Sequence, residues 1–310
     1  MRQAFEVLAL TLALAGISTA AEPEPEPAGE IEVREIEAIW WGSSSTGMTK
    51  RALERATSDR LKMKYGKGGA WFRADWLSKS IGAGEEEKYK ATMARIKDYA
   101  HRKKYELALF QMSGGILWSP ESEANIEQVL DDMFEAIKAE GRTIIIFEHW
   151  TSRSPEKMRR YAIGAARKHG GKVAFCGSAL AEVAEEKGGG KQGARYVGGL
   201  EGHTGPKGLY IASCVLYAAI TGKSPVGLPP PKPKVGKKPK LPKDESAAVP
   251  GNPQKPKPGK HDDTFTAEEL LYLQTKAWEV QQRYSKLLEE EAEAAGPPAG
   301  SALAPEARLR

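Results

Sequence analysis

The stretch LALFQMSGGILWSPESEANIEQVLDDMFEAIKAEGRTIIIF, residues 107–147, decides the fold of this chain of 310 residues. It opens with the apolar run Leu107–Met112, which ends at Ser-Gly-Gly, and it closes with the β-branched run Thr143–Phe147. Between the two runs, the apolar residues of 122–141 recur at the spacing of one helical face. Continuous apolar runs are typical of strands that are buried on both faces. The stretch therefore predicts a strand, a helix and a second strand parallel to the first.

The same alternation continues on both sides of this stretch. Further strands are predicted at residues 36–41 and 172–176. Further helices are predicted at 48–57, 85–103, 155–169, 179–187 and 208–221. Alternating strands and helices predict an α/β fold, here a three-layer sandwich whose central parallel sheet is flanked by helices. Such sheets carry their sites at the carboxyl ends of the strands.

The N-terminal residues 1–21 have the pattern of a signal peptide. Arg2 supplies a positive charge, the run Leu8–Ile17 is apolar, and small residues follow it at 18–21. The Glu/Pro-rich residues 22–30 then predict a stiff, solvated spacer. We therefore expect an exported protein that is periplasmic, attached to the cell surface or secreted.

The Lys/Pro-rich residues 229–262 hold nine lysines, three acids and ten of the chain's twenty prolines. Their net charge of +6 exceeds the +5 of the whole chain, so the basic charge does not belong to a folded face and we expect no nucleic-acid partner. This composition predicts a disordered linker, which is either a plain spacer or a contact to an anionic surface. Residues 263–292 then predict a C-terminal helix that packs on the domain, and 293–310 predict a flexible tail.

The chain has two cysteines, Cys176 and Cys214, and neither belongs to a CxxC pair. Export would permit a disulfide between them. Both cysteines lie in apolar runs, however, where a thiol packs as a small hydrophobic group. The spacing argues against a zinc site, and we expect neither a metal nor a cofactor.

The first candidate site is the turn Gly42–Thr46 (GSSST), directly after the strand 36–41. A serine at a strand-to-helix turn projects its hydroxyl over the sheet edge, where the helix N-terminus stabilises negative charge. The turn therefore suits a nucleophile. Serine and threonine also form ordinary helix caps, so the turn alone leaves both interpretations open.

The second candidate is the loop Glu201–Gly208 (EGHTGPKG), which carries His203 ahead of an apolar helix. A histidine on such a loop can reach back across the sheet edge and take a proton from a nucleophile. An ordinary histidine of a surface loop would have the same sequence.

Taken together, these segments resemble those of a known family. Residues 203–228 (HTGPKGLYIASCVLYAAITGKSPVGL) resemble the final block of secreted bacterial SGNH (GDSL-type) hydrolases, in which a histidine and a small-residue loop precede a helix ending in TGKSPVG. The turn 42–46 resembles the first block of the family. Gly68–Ala70 resembles the second block, and residues 105–113 (YELALFQMS) resemble a strand of the family.

The helix 266–282 resembles the terminal helix that follows the domain in such proteins. The resemblance covers residues 31–228, which we expect to be the SGNH-like domain, together with 264–283. It implies a three-layer fold of the SGNH-hydrolase or flavodoxin-like kind.

The resemblance also implies a role for each matching residue. Ser44 would be the nucleophile that attacks an ester carbonyl, and His203 would take the proton from its hydroxyl. The oxyanion would be stabilised by the backbone N–H groups of Ser44 and Gly69 and by the side-chain amide of Gln111. Many family members have Asn where this chain has Gln111.

The chain departs from the family pattern at its last block, which is usually Asp-x-x-His. Leu200 stands three residues before His203, where the acid that orients the imidazole is expected. Glu201 is one residue out of register, and it either replaces that acid or is a solvated loop charge. Two functions therefore remain open. One is an exported serine ester hydrolase acting on carbohydrate or small acyl esters, and the other is a catalytically degenerate SGNH-fold protein that binds a glycan or another cell-envelope ligand.

Two aromatic segments complete the candidates. Glu148-His149-Trp150 follows the strand 143–147, and it either lines the site, with Glu148 as a stray acid, or forms a loop that covers the sheet edge. Trp40-Trp41 precedes the serine turn, and these rings either form a surface that stacks on carbohydrate or pack in the core.

Overall fold

The computed structural model describes eleven stretches of the chain: residues 34–42, 44–57, 61–65, 74–82, 84–102, 105–112, 120–138, 142–150, 154–200, 203–230 and 264–295. Within these stretches there are five strands: β1 (Arg34–Trp41), β2 (Leu61–Tyr65), β3 (Leu107–Gln111), β4 (Thr143–Phe147) and β5 (Lys172–Ala174). Seven helices lie in the described residues up to 186: α1 (Ser44–Ala56), α2 (Ala74–Gly82), α3 (Glu86–Arg102), α4 (Pro120–Glu123), α5 (Ile126–Ile137), α6 (Pro155–His169) and α7 (Cys176–Glu186). Three more complete the described part: α8 (Gly190–Val197), α9 (Pro206–Thr221) and α10 (Ala267–Ala295).

The five strands form one sheet in the order β2-β1-β3-β4-β5, and every neighbouring pair is parallel. All residues of β3 are buried, as are four of the five residues of β4, because helices cover the sheet. The helix α9 contacts α1, α7 and α10, and α2 contacts α3, α4 and α5, while α6 contacts both α5 and α7. The predicted three-layer α/β sandwich is therefore confirmed.

Several elements differ from the sequence prediction. The strand β2 and the helices α2 and α8 had no predicted counterpart. The sequence of β2, LKMKY, alternates lysine with apolar residues because β2 is an edge strand, which lacks the continuous apolar run of a central strand. The helix predicted over 122–141 is divided into α4 and α5 at Asn125, whose side-chain amide donates to the carbonyl of Ser78 on α2 (3.1 Å).

The helix α10 packs against α6, α7, α9 and β5. Its buried stripe consists of Leu273, Ala277 and Val280, which are joined by two buried glutamines, Gln274 and Gln281. At its start, the N–H of Glu269 donates to the hydroxyl of Thr266 (3.1 Å), which is one half of a capping box. The carboxylate of Glu269 turns instead to Lys207 on α9 (2.6 Å) and Tyr196 on α8 (2.7 Å), so α10 is tied to both of those helices.

The cysteines Cys176 and Cys214 are buried free thiols, so the predicted option of a disulfide is not realised. Burial raises the pKa of the Cys176 thiol well above its usual range, which keeps it protonated. Among the described helices, none combines the length and the apolar character needed to cross a bilayer. The predicted signal peptide 1–21, the spacer 22–30 and the tail beyond residue 295 lie outside the described residues, as does the linker from 231 to 263.

Candidate functional site

The carboxyl ends of β1, β3 and β4 meet at one edge of the sheet. Trp41 pairs in register with Phe110, and Gln111 pairs with Phe147. Because all three strands are parallel, the segments that follow them leave the sheet on the same side. This edge therefore brings together the serine turn after β1, the end of β3 and the Glu148-His149-Trp150 segment after β4.

Ser44 is the first residue of α1, and it follows the last residue of β1 after only two residues. The backbone N–H groups in the first turn of a helix have no partner within the helix and carry a partial positive charge. The backbone of Ser44 thus lies where negative charge on a nearby oxygen is stabilised. The side chain of Ser44 lies outside the described part of the structure.

Gln111 is the last residue of β3 and is 1 % exposed. Strands β1 and β4 flank β3 on either side, so Gln111 lies between the serine turn and the Glu148-His149-Trp150 segment. The structure therefore places this predicted oxyanion donor at the same edge as Ser44. The other two predicted residues, Gly69 and Glu201, lie outside the described residues.

His203 is exposed and lies three residues before α9 begins at Pro206. Two hydrogen bonds fix the loop just after His203. The hydroxyl of Thr204 donates to the carbonyl of Val197 (2.6 Å), and the N–H of Gly205 donates to the same carbonyl (3.0 Å). The helix α9 that follows packs against α1, the helix that Ser44 begins.

Leu200 occupies the position where the family pattern has its acid. Its side chain is half-buried and packs against the hydrophobic core. An apolar side chain anchored in this way offers no hydrogen-bond acceptor to an imidazole. Position 200 therefore contributes packing rather than an oriented carboxylate.

Glu148 is fully buried at the end of β4. One of its carboxylate oxygens accepts from the N–H of Ser178 (2.8 Å) and the other from the hydroxyl of Ser178 (2.8 Å). Burial raises the pKa of Glu148 to about 7, although its hydrogen bonds from Ser178 and the charge of Arg159 act in the opposite direction. Glu148 therefore caps the N-terminus of α7, and its two oxygens are committed to Ser178 rather than to an imidazole of the site.

The sequence did not indicate this role of Glu148. A helix cap is normally found within a few residues of the helix start, whereas Glu148 lies thirty residues before Ser178. Capping from another strand explains why residues 175 and 176, predicted as the end of a strand, instead lead into α7. Arg159 on α6 extends the network, since it donates to the hydroxyl of Tyr284 on α10 (2.9 Å) and contacts Ser178 (3.3 Å).

His149 is 5 % exposed, and its Nδ1 lies 2.6 Å from the carbonyl oxygen of Trp150. The imidazole stacks on the Trp150 ring, with centroids 4.5 Å apart and an angle of 26° between the planes. The Trp150 ring itself is in contact with Phe147 at a centroid distance of 5.9 Å. The segment after β4 therefore places an oriented imidazole at the sheet edge.

The predicted option of a carbohydrate-stacking surface at Trp40-Trp41 is wrong for Trp41. This ring is 1 % exposed and contacts Tyr99 and Tyr105 edge-to-face, both at 6.4 Å. Trp40 is half-buried and also packs against the core. Both rings pack with the core because β1 is an inner strand of the sheet and is covered on both faces.

The chain matches no protein-family model and no curated protein. Among solved structures, it is similar to a DUF4886 family protein from Bacteroides uniformis, with 12 % identity, a TM-score of 0.50 and coverage of 80 % of this chain and 95 % of that chain. It is also similar to a protein from Slackia heliotrinireducens that is provisionally assigned as an SGNH hydrolase, with 16 % identity, a TM-score of 0.38 and coverage of 60 % of this chain and 100 % of that chain. At such low identity, the first similarity shows a shared fold.

Proposed function

We propose that this protein is an exported serine ester hydrolase of the SGNH type, acting on carbohydrate or small acyl esters with Ser44 as its nucleophile. One observation carries the proposal. Ser44 begins α1 directly beyond β1, at the sheet edge where the adjacent strand β3 ends in the buried Gln111. The segment carrying His203 leads into α9, which packs against α1, so the elements bearing the resembling residues are neighbours in the fold.

The reaction would follow the chemistry of acyl transfer. The hydroxyl oxygen of Ser44 forms a bond to the ester carbonyl carbon while its proton passes to an imidazole, which the resemblance assigns to His203. The carbonyl oxygen becomes an oxyanion, stabilised by the N–H groups of Ser44 and Gly69 and by the amide of Gln111. Collapse of this intermediate breaks the bond to the alcohol, which leaves with the proton. Water then repeats the sequence on the acyl-enzyme and restores Ser44.

The test is hydrolysis of p-nitrophenyl acetate and of an acetylated oligosaccharide by the purified protein and by its Ser44→Ala variant. We expect the variant to lose activity by at least about 10³-fold, because no other group replaces the nucleophile. Ser45→Ala is the matched control and should stay within about threefold of wild type, since removing a hydroxyl beside the nucleophile removes no reacting group. Equal hydrolysis by wild type and Ser44→Ala would refute the proposal.

A second candidate function is the binding of a glycan or another cell-envelope ligand without turnover. It is favoured by Leu200, which packs against the core and stands where the family pattern has its acid. This alternative predicts that the wild type hydrolyses no ester, binds its ligand saturably and is not labelled by a fluorophosphonate probe. Labelling of Ser44 by that probe would exclude it, because the probe reacts with activated serine hydroxyls.

Export and the role of the Lys/Pro-rich segment are part of the same proposal. Expression with a full-length N-terminus should yield a mature chain that begins near Glu22 outside the cytoplasm, and a cytoplasmic full-length chain would contradict this. Deleting residues 232–260 should leave retention on isolated cell envelopes at physiological salt unchanged if the segment is a spacer. A marked loss of retention would instead indicate contact with an anionic surface.

A further inference from the structure

The loop that carries His203 is closed at its base. It runs from the end of α8 to the start of α9, and its two ends meet at the carbonyl of Val197, which accepts from the hydroxyl of Thr204 (2.6 Å) and from the N–H of Gly205 (3.0 Å). Gly198 and Gly205 pack so closely that a Cβ atom on Gly198 would lie 2.3 Å from the Cα of Gly205. The backbone position of His203 therefore depends on how α8 and α9 are held against each other.

A carboxylate from α10 joins α8 and α9 just outside this closed base. Glu269 accepts from the hydroxyl of Tyr196, one residue before Val197, at 2.7 Å. It also accepts from the ammonium group of Lys207, two residues after Gly205, at 2.6 Å. Both donors reach the same oxygen, Oε1. The side chains of Glu269 and Lys207 are only 18 % and 14 % exposed, so salt in the solvent screens this pair much less than it screens a surface pair.

The charge of Glu269 strengthens both contacts of this bridge. Partial burial acts to raise the pKa of Glu269, yet the hydrogen bonds from Lys207 and Tyr196 hold that pKa below its usual range, so the carboxylate is ionised at neutral pH. Hydrogen bonds to an ionised acceptor are about twice as strong as those between neutral groups. The Lys207 ammonium group also lies 4.7 Å from the centroid of the Tyr196 ring. The three side chains therefore form one unit, the Glu269 bridge, which spans α8, α9 and α10.

The helix α10 is fixed close to the Glu269 bridge. The N–H of Glu269 donates to the hydroxyl of Thr266 (3.1 Å) at the start of the helix. Further along α10, the amide of the buried Gln274 donates to the hydroxyl of Tyr210 on α9 (2.6 Å) and to the carbonyl of Leu228 (2.6 Å). These contacts hold the backbone that carries Glu269, so its carboxylate joins α8 and α9 from a fixed point.

We propose that Glu269 is a positioning residue of the candidate site, which acts through Tyr196 and Lys207 to fix the loop that carries His203. This inference rests on the proposed function, in which His203 takes the proton of the Ser44 hydroxyl. The helix α9 packs against α1, which begins at Ser44, so a loop that is held to α8 and α9 has a fixed place relative to α1. A displacement of about 1 Å in a reacting group can cost about 10²-fold in rate.

The decisive variant is Glu269→Ala, which removes the bridge. We expect the rate of fluorophosphonate labelling of Ser44 and kcat for ester hydrolysis to fall by about 10–10²-fold. KM should stay within about twofold, because no residue of the bridge is assigned to the substrate. Glu269→Gln is the conservative variant. Its amide keeps an oxygen where both donors meet, so it should recover at least about a third of the wild-type rate.

Glu186 provides the matched control. This carboxylate on α7 also bridges a tyrosine and a lysine, since it accepts from Tyr272 (2.6 Å) and Lys276 (2.8 Å). Both of these donors lie on α10, so this second bridge does not join α8 to α9. We expect Glu186→Ala to remove a comparable contact of α10 and to leave the labelling rate within about threefold of wild type.

Hydrogen exchange tests the role of the bridge without relying on activity. The N–H of Gly205, which donates to Val197, reports whether the base of the loop is closed. We expect its exchange to be at least about tenfold faster in Glu269→Ala than in wild type or Glu186→Ala. Tyr196→Phe removes one contact of the bridge and keeps the ring, so it gives the same comparison if Glu269→Ala does not fold. Equal exchange in the bridge variant, the control and the wild type would overturn the role of Glu269.

The outcomes separate this inference from the proposed function. Faster exchange at Gly205 together with a lower kcat, both largely restored in Glu269→Gln, would support it. An active wild type whose Glu269→Ala variant is labelled at the wild-type rate would overturn the positioning role and leave the proposed function standing. A wild type that neither hydrolyses esters nor reacts with the probe would refute the proposed function, and the positioning role of Glu269 would fall with it.

Discussion

The side-chain amide of Gln281 on α10 donates to the backbone carbonyl of Val173 on β5 (2.9 Å). The oxygen of the same amide accepts from the N–H of Phe175 (3.1 Å). β5 is the last strand of the sheet, and none of the other described strands pairs with its outer edge. Gln281 thus supplies the donor and the acceptor that another strand would provide. A single side chain therefore pairs these two backbone groups at the edge of β5. An open edge would otherwise offer a template for pairing with other chains.

We therefore expect Gln281→Ala to lower the free energy of unfolding by about 2–4 kcal/mol, because it leaves a buried carbonyl and a buried N–H without partners. Urea unfolding followed by circular dichroism measures this change. Gln282→Ala is the control, since Gln282 is exposed on the same helix and its loss should cost less than about 0.5 kcal/mol. Equal stabilities of the two variants would show that α10 does not protect the edge of β5.

The buried carboxyl of Glu148 predicts a pH dependence of stability. Its pKa is raised from 4.5 to about 7 in the folded protein, so between these values the folded state binds the proton more strongly than the unfolded state. The contribution of Glu148 to stability therefore falls as the pH rises from about 4.5 to 7 and stays low above that.

Glu148→Gln removes this titration and keeps one donor and one acceptor for Ser178. Relative to wild type, the variant should gain on the order of 2–3 kcal/mol in unfolding free energy between pH 4.5 and pH 8, as expected for a pKa difference of this size. The measurement is urea unfolding of both proteins across that range. A difference between the proteins that does not change with pH would contradict the prediction.

The close contact between Gly177 and His149 predicts the effect of adding one methyl group. In Gly177→Ala the new Cβ would lie 2.4 Å from the carbonyl oxygen of His149 and 2.9 Å from its carbonyl carbon. Both atoms belong to the backbone, so the segment must move, and we expect a loss of about 1–3 kcal/mol in stability together with slower labelling of Ser44.

Gly164→Ala is the matched control for that substitution. Gly164 lies in the helix α6, and a Cβ there would meet nothing within 4 Å. The change should raise stability by about 0.5–1 kcal/mol, because alanine has the higher helix propensity, and it should leave labelling unchanged. If Gly177→Ala behaved like this control in thermal unfolding and in labelling, the packing of His149 on α7 would have no influence on the site.

The strands β1, β3 and β4 could be predicted because each carries a nearly continuous apolar run, the direct consequence of burial on both faces of a parallel sheet. The helix α6 was predicted with its exact bounds, since Pro155 starts it and Gly170 ends it in a left-handed conformation. The strand β2 was not predicted because lysines interrupt its apolar residues. The helix α8 was not predicted because its sequence, GKQGARYV, contains two glycines and few apolar residues. In the candidate site, local sequence placed Ser44 in the turn after β1 and Gln111 near a strand end, whereas the helix predicted from residue 48 begins at Ser44 itself.

The sequence by itself determined the α/β alternation, the turn that carries Ser44 and the absence of an acid at position 200. These features follow from local patterns, in which each residue acts through its immediate neighbours along the chain. Only the tertiary structure decided that Glu148 caps α7, that Leu200 packs against the core, and that His149 is held between Trp150 and Gly177. Such relationships join residues from different elements, so they exist only once the strands and helices are packed together.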